Sequence, residues 1–172
     1  MIELIEPDTD LYNAFRACRA DWGPGEHEDG FGIDERDDVD SPEGFATWVR
    51  RMRSQLHPRT QPCPDRPHWT PHWIVEDGEI LGAIALRHQA DDLFGRIGYG
   101  IRPSARRRGV ATWALTQTLA EAREVLGLDR VLMPCAADNI PSARTIERCG
   151  GILEGIVATE LGPQRRYWID LS

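Results

Sequence analysis

The sequence lacks several features that mark whole classes of protein. Its four cysteines are widely spaced and form no CxxC pair, so neither a thiolate zinc motif nor a disulfide framework is indicated. No apolar run approaches the roughly 20 residues that a membrane-spanning helix needs. Acidic residues outnumber basic ones, 28 to 20, and the net charge of −8 argues against nucleic-acid binding. We therefore expect neither a membrane nor a nucleic acid as partner.

The opening residues also lack the basic segment of a secretion signal, so we expect a cytoplasmic protein. The histidines and the cysteine between residues 57 and 72 lie at irregular spacings among prolines, which matches no zinc pattern and predicts no bound metal. The acidic balance suits a cationic partner, such as a small-molecule or peptide amine. A homodimer is a further option.

Length and composition are those of one domain with a substantial core, and no internal repeat is visible. We expect a single domain over residues 1–172, in two parts that meet near residue 71. In the first part, the pattern predicts a strand over 1–5, helices over 8–22 and 41–57, a Gly-rich acidic loop over 23–40 and a proline-rich loop over 58–71.

The second part has the pattern of a mixed sheet. Strands are predicted over 72–76, 79–88 and 96–102, a long helix over 109–126, a strand over 130–135, a short helix over 141–149 and a hairpin over 152–160 and 165–171. Asp77-Gly78 is a strong turn signal between the first two strands. The order predicts an α/β fold with a mostly antiparallel central sheet, one parallel crossover and about four flanking helices.

The start of the long helix carries an unusual concentration of positive charge. Arg106, Arg107 and Arg108 directly precede Gly109, although the helix dipole disfavours each cation there by a few tenths of a kcal/mol. The charge makes sense if an anion such as a pyrophosphate binds the unpaired N–H groups of the helix start. Small residues such as Gly109 and Ala111 would let the backbone approach it. A solvated basic turn is the alternative, but the position between a strand and an amphipathic helix favours a phosphate site.

This stretch resembles the signature of the GNAT superfamily of N-acetyltransferases, Arg/Gln-x-x-Gly-x-Gly/Ala, which runs here from Arg106 to Ala111. The family's next marker, an asparagine after the following strand, is met by Asn139. The resemblance covers residues 72–171 well and extends to a group of bacterial GNAT proteins. It implies the GNAT fold, acetyl-CoA as cosubstrate and transfer of acetyl to a primary amine in a ternary complex. Residues 72–171 would bind acetyl-CoA, and residues 1–71 would form the acceptor side.

The resemblance further implies which residues hold acetyl-CoA. Backbone amides over 107–112 would bind the pyrophosphate, and the strand around 99–101 would pair with the pantetheine arm. The residues implied are Tyr99, Ile101, Arg106, Arg107, Arg108, Gly109, Val110, Ala111, Thr112 and Asn139. Independently, Pro134 cannot donate to a strand ladder, so the strand over 130–135 should part from the strand over 96–102.

Three side chains are candidates for acid–base chemistry. His88 ends a strand beside the expected cleft and is the first candidate base, the alternative being a surface or capping histidine. Tyr99 is either a core residue or a cleft-facing hydroxyl. The family's helical tyrosine, seven residues after the asparagine, is replaced here by Ile146. Ser142, one turn away, could donate instead, although a serine in a first turn often only caps its helix.

The missing tyrosine leaves a second function open, namely a catalytically inactive acyl-CoA-binding sensor or interaction module on the same fold. A nucleotide-binding protein that uses the same helix start is a third option. Cys135 and Cys149 have no histidine near them in sequence to activate a thiolate, so we interpret them as packing residues and expect direct attack by the amine.

Overall fold

The computed structural model of the chain describes residues 1–25, 30–54, 68–89 and 92–172. Within these ranges the strands are β1 (Ile2–Ile5), β2 (Trp69–Glu76), β3 (Glu79–Arg87), β4 (Ile97–Ile101), β5 (Arg130–Ala136), β6 (Ile152–Thr159) and β7 (Gly162–Asp170). The α-helices are α1 (Tyr12–Trp22), α2 (Pro42–Ser54), α3 (Val110–Leu126) and α4 (Ile140–Arg148). The order of strands and helices confirms the predicted mixed α/β fold.

The strands form two antiparallel sheets, β1-β2-β3-β4 and β5-β7-β6. The β2–β3 hairpin turns at Asp77 and Gly78, whose φ angles of 51° and 81° are those of the tight turn that the sequence predicts. β4 leads through α3 to β5, so the predicted crossover lies where the two sheets meet.

At this seam the sheet is split rather than continuous. A backbone hydrogen bond from Arg96 N–H to the Leu132 carbonyl, 3.3 Å long, joins the two sheets. A side chain at Gly95 would overlap Pro134 and the Leu132 carbonyl, so the sheets are in close contact there. Beyond that contact β4 pairs with β3 and β5 pairs with β7, which leaves a gap between them. The missing N–H of Pro134 explains the parting that the sequence predicts.

The two faces of the β1–β4 sheet bury different clusters. One face packs on α3 and α4 through aliphatic residues, among them Ile74, Ile84, Leu115, Val131 and Ile146. The other face packs on α1 and α2 through aromatic residues, among them Phe15, Phe31, Phe45, Trp48 and Trp73. Neighbouring residues of β2, Trp73 and Ile74, belong to opposite clusters, as the alternation of a strand requires.

The expected boundary between the proline-rich loop and the next strand is wrong. The proline-rich loop was expected to extend to residue 71, but β2 begins at Trp69 and Pro71 pairs with Ala85. β1 reaches only as far as Trp73 along β2, so Pro71 lies where β2 is an edge strand and a missing N–H is tolerated. Residues 55–67, which include the predicted end of the second helix, lie outside the described ranges.

Glu121 of α3 pairs with a residue of β2. The Nε2–H of His72 donates to its Oε2 over 2.8 Å, and both side chains are largely buried. The two residues lie 49 positions apart, so no local sequence pattern predicts the pair. No helix in the described ranges is long and apolar enough to cross a membrane, and no group of three or more His, Cys, Asp or Glu there is arranged to hold a metal.

Candidate active site

The segment between β4 and α3, residues 103–109, is referred to below as the arginine turn. It begins with a 3-10 turn over Pro103–Ala105 and then adopts left-handed backbone conformations at Arg107 (φ 62°) and Gly109 (φ 80°). Gly109 caps α3, and an added Cβ there would meet nothing within 4 Å. Glycine is therefore required by the backbone angle and not by lack of space.

The arginines of this turn have different surroundings. The Nε of Arg106 donates to the Ile101 carbonyl over 2.8 Å, and Arg108 forms an ion pair with Glu76 of β2. Arg107 is exposed, and its side chain has no hydrogen bond or ion pair within the described part of the chain. No local signal in the sequence points to Glu76, because its partner Arg108 lies 32 residues away.

The start of α3 presents backbone donors to the same space. The first helical N–H groups have no carbonyl one turn earlier to bond, and the N–H of Trp113 is the first to reach the Gly109 carbonyl, at 2.9 Å. The positive end of the helix dipole adds to the charge of Arg107. Together they form a site with the chemistry to bind an anion.

The open edge of β4 faces the gap between the sheets. The N–H of Arg102 donates to the Leu81 carbonyl of β3 at 2.8 Å. Because alternate residues direct their backbone groups to opposite edges, those of Tyr99 and Ile101 face away from β3. The Ile101 carbonyl accepts from Arg106, so the Tyr99 backbone and the Ile101 N–H remain for a ligand strand.

Two of the three acid–base candidates meet at the gap. The Tyr99 hydroxyl and Ser142 Oγ lie 2.9 Å apart, within hydrogen-bond reach. Burial raises the pKa of Tyr99 to about 12, although hydrogen bonds with Ser142 and Thr145 oppose the rise. The N–H of Ser142 donates to Asn139 Oδ1 over 3.2 Å, so the predicted cofactor ligand Asn139 uses its side chain as the cap of α4. The result is a partly buried, neutral hydroxyl pair.

His88 lies elsewhere. Its Nε2 is 2.7 Å from the Thr70 hydroxyl, on the face of the sheet that packs against α3. Tyr99 pairs with Ile84 of β3, and His88, which directly follows β3, lies four residues or roughly 13 Å further along the chain. The structure therefore does not bring His88 together with Tyr99 and Ser142, because His88 lies beyond the end of β3 whereas Tyr99 pairs with the middle of that strand.

The environment of His88 makes a pH dependence testable. Burial lowers its pKa, the charges of His68 and Arg96 lower it further, and Glu121 opposes them. As the pH falls through the ordinary imidazole pKa of 6.5, His88 becomes protonated in the unfolded chain before it does so in the folded chain. The free energy of unfolding should therefore decrease as the pH falls through that value. Urea titrations between about pH 8 and about pH 5 should show a weaker decrease for His88→Gln. An equal decrease in both chains would contradict this.

Ile146 is fully buried in the α3–α4 core, as the apolar helix face predicts. A side chain at Gly151 would overlap it, so the position has no spare volume. Ile146→Tyr should therefore destabilise the fold by about 1–3 kcal/mol and give no gain in activity. Urea unfolding measures the first effect, with Ile146→Val as the smaller change. A stable Ile146→Tyr protein with faster turnover would show that the position can reach the gap.

Comparison with known proteins adds to this geometry. The family model of the acetyltransferase (GNAT) domain matches residues 8–152. No match is found among curated proteins. The solved structures with a similar fold include RimJ of Mycobacterium smegmatis in complex with CoA-disulfide, at TM-score 0.71 and 19% identity, covering 98% of this chain and 81% of that one.

A second similar structure is an acetyltransferase from Salmonella typhimurium that modifies the N-terminal serine of a 50S ribosomal subunit protein. It has a TM-score of 0.70 and 16% identity, and the match covers 99% of this chain and 95% of that one. A third is a microcin self-immunity acetyltransferase in complex with acetyl-CoA and AMP, at TM-score 0.67 and 17% identity, with 98% and 92% covered. At these identities the likeness concerns the fold.

Proposed function

The chain belongs to the GNAT acetyltransferases, enzymes that use acetyl-CoA as cosubstrate, and from this premise we propose that it transfers acetyl directly to a primary amine in a ternary complex. The observation that carries the proposal is the position of the arginine turn. It presents backbone donors and the exposed guanidinium of Arg107 beside a gap in the sheet, where a diphosphate and an extended arm can both be held.

In this proposal the N–H groups over 107–112 bind the diphosphate, and Arg107 supplies charge. Arg106 and Arg108 hold the turn through Ile101 and Glu76, and their charge adds to the local field. The pantetheine arm pairs with the open edge of β4 at residues 99–101. Asn139 contributes indirectly, because its cap positions Ser142 at the start of α4.

The chemistry needs a neutral amine and a stabilised leaving group. The amine nitrogen forms a bond to the thioester carbon, the C–S bond breaks, and the amine proton passes to solvent. Tyr99 and Ser142 together donate a hydrogen bond to the developing thiolate. This pair takes the place of the tyrosine that Ile146 replaces, and it supports catalysis over a sensor function.

Direct attack is supported by the state of the cysteines. Burial raises the pKa of the Cys149 thiol, which disfavours the thiolate that a covalent intermediate would need. Cys135 is also buried, with 6% of its surface exposed. We therefore propose that neither thiol carries the acetyl group.

The acceptor proposed here is the α-amine of a peptide or a small molecule of similar basicity. The groups that hydrogen-bond the Tyr99 hydroxyl, Ser142 and Thr145, are themselves hydroxyls and cannot take up the amine proton at neutral pH. An α-amine, with a pKa of about 7.7–8.0, is partly neutral without such help, whereas a lysine amine near 10.4 is almost fully protonated. The modification of an N-terminal serine by the similar Salmonella enzyme supports the same acceptor class.

The test is release of free CoA thiol from acetyl-CoA with a panel of amines. Peptides with a free N-terminus should react faster than the same peptides blocked at the N-terminus and carrying one lysine. Small amines should rank by the fraction that is neutral. Binding of acetyl-CoA without thiol release from any amine would favour the sensor, and binding of ATP or NADH instead would contradict the phosphate-site assignment.

A further inference from the structure

The last turn of α1 carries a charge of the sign that this end of a helix disfavours. Asp21 is the second-last residue of α1, where the dipole favours cations. Its Oδ2 accepts a hydrogen bond from the Ser104 hydroxyl at 2.6 Å and from the Ser104 N–H at 3.1 Å. The carboxylate is thus directed at the arginine turn, whose cations are also unfavourable for their own helix. The acidic residue at the end of α1 and the arginines at the start of α3 are each unfavourable for their own helix, but their opposite charges compensate each other, as is expected at a functional site.

The same carboxylate interacts with the guanidinium groups beside it. Arg102 Nε lies 3.7 Å from Asp21 Oδ2, and the Arg102 side chain also reaches Glu79 at 2.6 Å. The pKa of Asp21 is lowered by the hydrogen bonds from Ser104 and then by the charges of Arg102 and Arg106. Asp21 is therefore ionised throughout the neutral range.

The arginine turn needs such support. Arg107 has a side chain and yet holds a left-handed backbone angle, a conformation that persists only where the surroundings fix it. Three contacts fix this turn: Asp21 with Ser104, Arg106 with Ile101, and Arg108 with Glu76. The first of them is the only one of these three that comes from α1, on the opposite face of the sheet from α3.

We propose that Asp21 is a positioning residue for acetyl-CoA, which holds the arginine turn in the conformation that presents its N–H groups to the diphosphate. The proposal rests on the proposed function. Asp21 acts through Ser104 and does not itself touch the cosubstrate. Its loss should therefore weaken binding of the diphosphate and leave the chemistry at Tyr99 and Ser142 unchanged.

Asp21→Ala should raise the KM for acetyl-CoA and the Kd for CoA about tenfold, the loss expected for one charge-assisted hydrogen bond, with kcat within about twofold of the parent. Asp21→Asn retains an acceptor for Ser104 and should recover most of the affinity. Asp8→Ala is the matched control, because it removes a side-chain cap at the other end of the same helical segment. It should lower the melting temperature without raising the KM.

Acetyl-pantetheine, which has no diphosphate, makes the test specific. Its kcat/KM should be equal in the parent and in Asp21→Ala. A parallel decrease with both acetyl donors, or an unchanged KM for acetyl-CoA in Asp21→Ala, would overturn the proposal. Failure of the parent chain to bind CoA at all would instead overturn the proposed function.

Discussion

Gly109→Glu is expected to abolish acetyl-CoA binding, raising the Kd at least about 100-fold, while the chain still folds. The new side chain would enter open space in front of α3, where the diphosphate is proposed to lie. Like charges in close contact cost several kcal/mol, which is enough for a loss of this size. The left-handed angle of 80° adds strain of about 1–2 kcal/mol, a fraction of a typical stability.

The structure supplies a matched control for this variant. Gly127 caps the other end of α3 with a φ of 64° and equally open surroundings. Gly127→Glu therefore carries similar strain and the same charge far from the arginine turn, and it should bind acetyl-CoA like the parent. Gly109→Asn, which tolerates the angle and is neutral, should fall between them. Calorimetric titration measures the affinity of each protein, and a melting curve measures its stability. Equal affinities of the two glutamate variants for acetyl-CoA would contradict a phosphate site at Gly109.

The second large effect is expected at the hydroxyl pair. Tyr99→Phe and Ser142→Ala should each lower kcat by about 10–100-fold, at or just below the smallest contribution typical of a general acid. Because the hydroxyls act as one unit, the double variant should lose little more than the worse single variant. Pre-steady-state acetyl transfer to a peptide amine measures the step directly.

The pH profile follows from the same pair. The phenol stays protonated up to its pKa of about 12. The rate should therefore rise with pH as the acceptor ammonium loses its proton, and it should not fall again below about pH 12. Tyr167→Phe is the control, since it removes a buried hydroxyl that bonds Glu147 over 2.9 Å. It should reduce stability and leave kcat unchanged. A falling limb near the pKa of a normal phenol, or full additivity of the two variants, would contradict a shared role.

Much of the fold follows from local rules that are visible in the sequence. The Asp77-Gly78 turn, the long helix over 109–126 and the parting of the sheets at Pro134 each depend on a few neighbouring residues. Backbone propensity and one missing N–H are sufficient to predict them. The arginine turn could be located for the same reason, because its charge conflicts with the helix that follows it.

The rest depends on contacts between distant residues. The Tyr99–Ser142 hydrogen bond joins residues 43 positions apart, and its existence depends on how α4 packs on the sheet. The position of His88 after a strand does not indicate which face its side chain takes, and in the structure that side chain contacts Thr70. The contact of Asp21 with Ser104 spans 83 positions. The only local indication of this contact is an acidic residue in the last turn of α1, where the helix dipole favours cations.

The two sheets that meet at the seam are also made one after the other during synthesis of the chain. Every strand of the first sheet precedes Arg102, and every strand of the second follows Gly127. During translation the first sheet can therefore complete all of its hydrogen-bonded pairs before α3 has left the ribosome. The cleft has one wall in each sheet, so it is completed last. A chain that stops before α3 would therefore lack the proposed acetyl-CoA site, and one face of its first sheet would lack the residues of α3, α4 and β5 that bury it.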